Sequence, residues 1–416
     1  MNPQPGTGLR VDGARLWNSL MEHGRIGATD KGGVRRLALS ALDGEGRALF
    51  TQWAREAGCE IRVDAIGNIF ARRPGSDNSL APVMAGSHLD TQPTGGRFDG
   101  IYGVLAALEV VRTLNDHAVQ TRAPVEVVVW TNEEGSRFVP VMMGSGVAAG
   151  AFGLDYALQQ KDSDGISVGE ALQAIGYAGS EAPVLGSVKS YFEAHIEQGP
   201  LLEAREITIG AVTGALGQRW YNIAIIGDEA HAGPTPMDMR KDALLPASHV
   251  VQLVNALALE QGPQARGTVG SLNVHPDSRN VIPGRVDLTV DFRAPTDGML
   301  NAMAEQLQER CATLAADHGM TIHIEPTVYF PPQPFDARLI DSVRDSAHAL
   351  GLSCMDIVSG AGHDAVYMAR LTPTAMIFIP CKDGISHNER EDALPEHVEA
   401  GANVLLQAVL AEAEVV

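Results

Sequence analysis

At 416 residues, 45% hydrophobic and 20% charged, the chain is long enough for more than one hydrophobic core and has the composition of a globular enzyme. Its 31 basic against 51 acidic side chains give a formal charge of -20, which argues against nucleic acid and anionic membranes as partners, since phosphate binding needs a basic surface. Cys59, Cys311, Cys354 and Cys381 are far apart and form no C-x-x-C pair, so reduced structural thiols are expected rather than disulfides or a thiolate zinc site.

The N-terminal stretch MNPQPGTGLRVDGARLWNSL lacks a basic start followed by an apolar run, so no signal peptide is expected. No apolar run approaches the length of a membrane span, and the cytosol is the expected compartment. From Gly8 to Ala57, apolar residues recur at three- and four-residue intervals, which predicts helix. IRVDAIGNIFARRPG reads as strand, turn and strand, with Gly67-Asn68 near the turn. APVMAGSHLD is a short buried strand ending in polar residues. The glycine-rich TQPTGGRFDG then leads into the helical IYGVLAALEVVRTL. PVEVVVWTNEEG is a second buried strand, ending in acids. Strands alternating with helices predict an α/β sheet covered on both faces.

Near residue 212 the texture changes. RWYNIAIIGDEAH alternates as a half-exposed strand does, and RKDALLPASHVVQLVNALALE is helical. TVGSLNVHPDSRNVIPGRVDLTVDFRAP supplies two or three strands, MLNAMAEQLQERCATLAADHG a helix and TIHIEPTVYF a last strand. That β-α-β-β-α-β order is the one found in ferredoxin-like sandwiches. From about residue 331 the α/β texture returns, with LTPTAMIFIP as a buried strand. The expected architecture is a mixed-sheet α/β/α domain, residues 1–212 and 331–416, with a smaller α+β domain, residues 213–330, inserted into it.

Ligands in open α/β sheets collect at the carboxyl ends of strands. Three such ends are rich in metal-binding types: His88-Leu89-Asp90, Glu133-Glu134, and Ser386-His387-Asn388 after LTPTAMIFIP. Asp99 opens a helix after the flexible loop, and His195 lies in YFEAHIEQG. Each has an ordinary explanation alone: a hydrogen-bonded histidine, a turn aspartate, a solvated helix start. Together, imidazole nitrogens and carboxylate oxygens form the set that zinc, manganese, cobalt or nickel accept. Adjacent Glu133 and Glu134 after a buried strand would repel each other unless a cation offset them.

The strings GSHLDTQPTGGRFDGIYGV, TNEEGSRF, FEAHIEQGP, HAGPTPMDMRKDA, NVIPG, GAGHDA and SHNERED are carried in order over nearly the whole chain. They resemble the amidase/hydantoinase-carbamoylase group, which includes N-carbamoyl-L-amino-acid hydrolases, bacterial β-ureidopropionases and allantoate amidohydrolases. That group lies within the wider family of aminoacylases and dinuclear carboxypeptidases. The resemblance implies two divalent ions, zinc first, with manganese, cobalt or nickel as alternatives. Asp99 would bridge them, with His88 and His195 on one ion and Glu134 and His387 on the other. Related peptidases commonly carry a carboxylate where this chain has His195, which points to the ureido-cleaving branch.

The resemblance further implies that Glu133 is the general base, that Asp90 orients His88, and that His231 faces charge developing on the substrate oxygen. Arg293, Asn280, Gln198 and Gly362 match substrate-contacting positions. Their targets would be the carboxylate and ureido ends of a small ureido acid. His363 and Asp364 are expected as structural neighbours. The inserted domain would mediate a homodimer and act as a lid, with His231 reaching the partner's active site. TGGRFDGIYG is not G-x-G-x-x-G after a strand, so dinucleotide binding is not expected. GISVG around Ser167 lacks the strand of a nucleophile elbow, and Ser167 reads as a helix cap. SHNERED, apart from His387, reads as a solvated face.

Overall fold

The computed structural model describes residues 8–183 and 185–416, so the first part of the expectation about the N-terminal leader lies outside the described residues. These residues form two compact units, Met1–Thr213 with Pro334–Val416, and Gly214–Gln333.

The larger unit is built on a nine-stranded mixed sheet. Its strands are β1 (Glu60–Val63), β2 (Ile69–Arg73), β3 (Val83–His88), β4 (Val125–Trp130), β5 (Ser190–Ile196) and β6 (Ile209–Ala215). The sheet takes its remaining strands from beyond the second unit, after β7 (Gly217–Ile226), β8 (Ala230–His231), β9 (Arg266–His275), β10 (Val281–Ile282), β11 (Arg285–Ala294) and β12 (Thr321–Phe330). They are β13 (Gln333–Pro334), β14 (Cys354–Ser359) and β15 (Thr374–Ile379). Their order is β1-β2-β4-β3-β5-β15-β6-β13, with β14 beside β6. At its centre β4, β3, β5 and β15 run parallel, so their carboxyl ends share one edge.

Every residue of those four strands is buried, as a parallel sheet covered on both faces requires. The helices Ile101–Asp116 and Pro395–Ala413 pack against β3, β5 and β15 and against each other. The short helices Met143–Ala148 and Asp364–Met368 pack against β4, β5 and β15.

The helical stretch expected from Gly8 to Ala57 is two helices, Gly13–His23 and Ala41–Glu56. Between them Gly27 and Gly32 adopt φ of 83° and 90°, a left-handed course that periodicity of apolar residues does not reveal. This loop carries Arg36, buried beneath the sheet edge. Ser167 is a helix cap, in a capping box with Glu170.

In the smaller unit β12-β7-β11-β9 form an antiparallel sheet. The helices Leu244–Glu260 and Asp297–His318 pack against it. With the helices interposed in chain order, this is the β-α-β-β-α-β arrangement of a ferredoxin-like sandwich. In β11 the odd-numbered residues from Asp287 to Arg293 alternate with buried Val286, Leu288, Val290 and Phe292. Arg293 therefore lies on the face away from that unit's core.

Candidate metal centre

The shared carboxyl edge of the central strands gathers the residues singled out as ligands. His88 is the last residue of β3 and His195 the penultimate one of β5. Glu133 and Glu134 follow β4 directly, and His387 follows β15 after a short loop. Asp99 precedes Gly100, which caps the helix Ile101–Asp116 at φ 71°. A Cβ at Gly100 would stand 2.3 Å from His88 Cε1, so only glycine lets that helix begin against the imidazole.

Asp99 divides its two oxygens. Oδ1 faces His195 Nε2 at 3.2 Å and His88 Nε2 at 3.8 Å. Oδ2 faces His387 Nε2 at 3.3 Å, and that nitrogen lies 3.4 Å from Glu134 Oε2. Two trios result, His88–Asp99–His195 and Asp99–Glu134–His387, each with its ligand atoms within 4.8 Å of one another. The outer ring nitrogens are committed: His88 Nδ1 is 2.9 Å from the Asp90 carbonyl, and His195 Nδ1 is 2.9 Å from that of Ile196. Donation from Nδ1 to these carbonyls aims each Nε2 at Asp99, the orientation a metal ligand needs.

Electrostatics agree with a cation at this place. Burial, then the charges of Asp364, Glu134, Asp90 and Asp99, pushes the Glu133 carboxyl well above its usual range. Burial followed by Asp99 and Asp90 does the same to Glu134. Burial holds the His88 imidazole down at about 4, keeping it neutral. So many buried carboxyls with so few basic partners are costly unless positive charge joins them. The donor set of nitrogen and oxygen atoms fits zinc, manganese, cobalt or nickel. A third trio, Glu193–His195–His363, is different. Glu193 already accepts from Ser87, Tyr191 and the Ala365 amide, so its lone pairs are used within the protein.

Residues 84–411 match Peptidase family M20/M25/M40. The chain belongs to that family. An N-carbamoyl-L-amino-acid amidohydrolase of Rhizobium meliloti is 48% identical over 412 residues, covering 99% of each chain. An allantoate amidohydrolase of Bacillus subtilis is 32% identical, covering 92% of this chain and 93% of its own. The crystal structure of a hydantoinase/carbamoylase family amidase from Burkholderia multivorans superposes with TM-score 0.95 at 58% identity, covering 97% of this chain and 98% of that one.

In this M20/M25/M40 hydrolase Asp90 meets His88 most closely through its main chain. The 2.9 Å contact to the imidazole comes from the Asp90 main-chain carbonyl, while its carboxylate lies 3.9 Å away. That carboxylate accepts the amides of Glu133 and Glu134, both at 3.2 Å, and so fixes the turn that bears the two acids. Glu133 Oε2 lies 3.6 Å from His88 Nε2, beside the first trio. Gln198, at φ 57°, donates from Nε2 to Asp99 Oδ2 at 3.0 Å, and its buried Oε1 has no hydrogen-bond partner among the described residues. Gly362 lies against the Met142 thioether. His363 stacks edge-on to His195 at 4.6 Å and meets the Ser359 hydroxyl, while Asp364 accepts from Ser145 at 2.5 Å.

Some participants escaped the sequence reading. Glu391, within SHNERED, is 2% exposed rather than solvated. It accepts the amides of Phe98 and Asp99 and the Ser386 hydroxyl, and Ser386 lies 3.1 Å from Asp99 Oδ2. Its signal was only its position four residues after His387. Arg36 donates to the Leu89 carbonyl at 2.9 Å, and its amide donates to Thr91 Oγ1 at 2.8 Å, holding the strand end that carries His88 and Asp90.

Three expected substrate residues belong to the smaller unit. His231 sits on β8, paired with Val281 of β10, and the Ala232 amide bonds the Asn280 carbonyl, so His231 and Asn280 adjoin. The Gly233 amide donates to His231 Nδ1 at 3.0 Å, which leaves the proton on Nε2 and makes that atom a donor. Arg293 pairs with Asp291, two residues earlier on the same strand, at 2.9 Å. A substrate carboxylate there would compete with an internal one.

Proposed function

We propose that the chain hydrolyses the carbamoyl C–N bond of an N-carbamoyl-L-amino acid or N-carbamoyl-β-alanine, giving the amino acid, carbon dioxide and ammonia. The observation that carries the reading is Asp99, whose two oxygens each face a separate set of ligands while Glu133 stands at the edge of one set. The names of the relatives at high coverage support the ureido class of substrate.

Two divalent ions held by His88, Asp99, Glu134, His195 and His387 would supply Lewis acidity and an acidified water, with zinc the first expectation. Glu133 Oε2 takes the proton of the attacking water and returns it to the departing nitrogen. The turn that presents Glu133 is held by the Asp90 carboxylate, so the base has little freedom to move. Gln198 Oε1, buried without a partner, can accept from the ureido nitrogen. Backbone at Gly362 approaches the ligand. His231 Nε2 donates to the carbonyl oxygen as charge grows there, while Arg293 and Asn280 hold the carboxylate end.

By the family resemblance, residues 213–330 would form a homodimer and act as a lid, with His231 serving the partner's site. Leu244, Leu245, Val251 and Leu259, exposed on one helix of that unit, are apolar surface suited to such an association. A strictly monomeric variant with full turnover would remove the shared-site part of this reading.

The decisive experiment is substrate profiling of the metal-loaded enzyme with N-carbamoyl-L-methionine, N-carbamoyl-β-alanine and allantoate. Release of methionine or β-alanine is expected. Hydrolysis of allantoate alone would replace the reading with an allantoate amidohydrolase, and hydrolysis of none of the three would end it.

A further inference from the structure

The chain just after the catalytic pair carries an apolar lip. Residues 136–142 leave Glu134 and return to it: the Met142 amide donates to the Glu133 carbonyl at 2.7 Å, and Asn132 Nδ2 donates to the carbonyls of Phe138 and Pro140. This closes the segment into a small loop tied at both ends to the residues around the base. Val139 and Val141 on it are 64% and 40% exposed, although the sheet edge beside them is crowded with buried carboxylates.

Two contacts place the lip. Val141 lies over Gly135, the residue after Glu134; a Cβ at Gly135 would stand 2.4 Å from Val141 Cγ1. Met142 lies against Gly362, where a Cβ would be 3.1 Å from Cε and 3.3 Å from Sδ. Met142 is held at φ 51°, which is unusual for a long side chain and persists only because its surroundings enforce it. The enforcing contacts are visible. Successive amides of Met142, Met143 and Gly144 bond the carbonyls of Glu133, Asn132 and Thr131, and Ser145 bonds both Asp364 and the Met142 carbonyl. A strained backbone thus presents Met142 and Val141 between Gly135 and Gly362.

We infer that Val141 and Met142 form the subsite for the α-substituent of the substrate, and that it takes an apolar side chain. This rests on the ureido-acid reading and narrows it. Near the base, a ureido acid offers polar groups at its two ends and one variable group between them. An aliphatic or thioether substituent gains by covering Val141, and Met142, 8% exposed beside it, adapts its flexible side chain to several shapes. N-carbamoyl-β-alanine has no such substituent. Allantoate presents a second ureido group, whose amides would lie against Val141 without partners.

The test compares kcat/KM for N-carbamoyl-L-methionine and N-carbamoylglycine, which share both polar ends and differ in the side chain. The wild-type ratio is expected to favour methionine by about 10-fold or more. In Val141→Ser that ratio should fall by about 10-fold, and in Val141→Leu it should hold, with metal content measured in each protein as the check on folding. A ratio near one in the wild type, or one that survives Val141→Ser in protein with full metal content, overturns the subsite while leaving ureido hydrolysis standing. Failure to hydrolyse either compound overturns both.

Discussion

The carboxyl edge of the large sheet and the smaller unit hold comparably polar residues in opposite states. His88, Asp99, Glu134 and His195 are all buried, and each is fixed by at least one further group. His231 and Asn280 are exposed, and Arg293 is half-buried against Asp291. A ligand set that is buried except for His387, whose side chain is 51% exposed, and that is mutually held can be assembled before substrate arrives. Groups with open polar capacity become a site only when something else covers them. On the proposed reading the chemistry rests on the buried groups of one unit, and the exposed groups of the other are reserved for recognition.

The strongest way to break this comparison is Glu133→Gln. It keeps the shape and the amide bonded to Asp90, but removes the group proposed to carry the proton. The expected result is a loss of about 10²–10⁴-fold in kcat with both ions retained by elemental analysis. Near-normal turnover would show that the assembled edge binds ions without supplying the base.

That edge was also the more legible region. Buried strands ending in His88, in Glu133-Glu134 and near His387 could be read because a parallel sheet brings its carboxyl ends together whatever the sequence separation. What stayed hidden was support that has no pattern. Arg36 lies on a glycine-turned loop inside a stretch whose periodicity suggested unbroken helix, and it works through main-chain carbonyls that any residue could provide. Glu391 sits in a run of charges, and only the fold shows it turned inward to the Asp99 amide. Asp90 shows a related gap between spacing and contact. Spacing placed it beside His88 but could not say that its carbonyl, and not its carboxylate, meets the ring.

Arg293→Ala probes the other region. If the open face serves recognition, KM for carboxylate-bearing substrates should rise by about 10–100-fold, the scale of a charge-assisted contact, with kcat changed much less. The Asp291 pair offers a control. Asp291→Asn removes a competing carboxylate from the guanidinium, so KM should fall or hold. A matching rise in both variants would mean that the pair is structural and that the face recognises nothing.

The smallest effect sharpens the comparison through pH. Burial pushes the His195 imidazole down, but the Asp99 carboxylate 3.2 Å away outweighs it and raises the group to about 9; His387 is raised too, chiefly by Asp99. Without ions, the charged His195–Asp99 contact stabilises the fold fully below the ordinary value of 6.5 and is lost as pH rises through about 9. A divalent ion needs the neutral nitrogen, so binding must expel that proton. Glu133 and Glu134, both raised, lose protons in the same direction, whereas His88, at about 4, has none to give. Ion affinity should therefore climb with pH by about tenfold per unit for each proton released between about pH 6.5 and 8.5. Calorimetry in buffers of different ionisation enthalpy counts those protons directly. An affinity flat across that range, with no protons released, would mean that the imidazole and carboxylates are not the atoms that receive the ions.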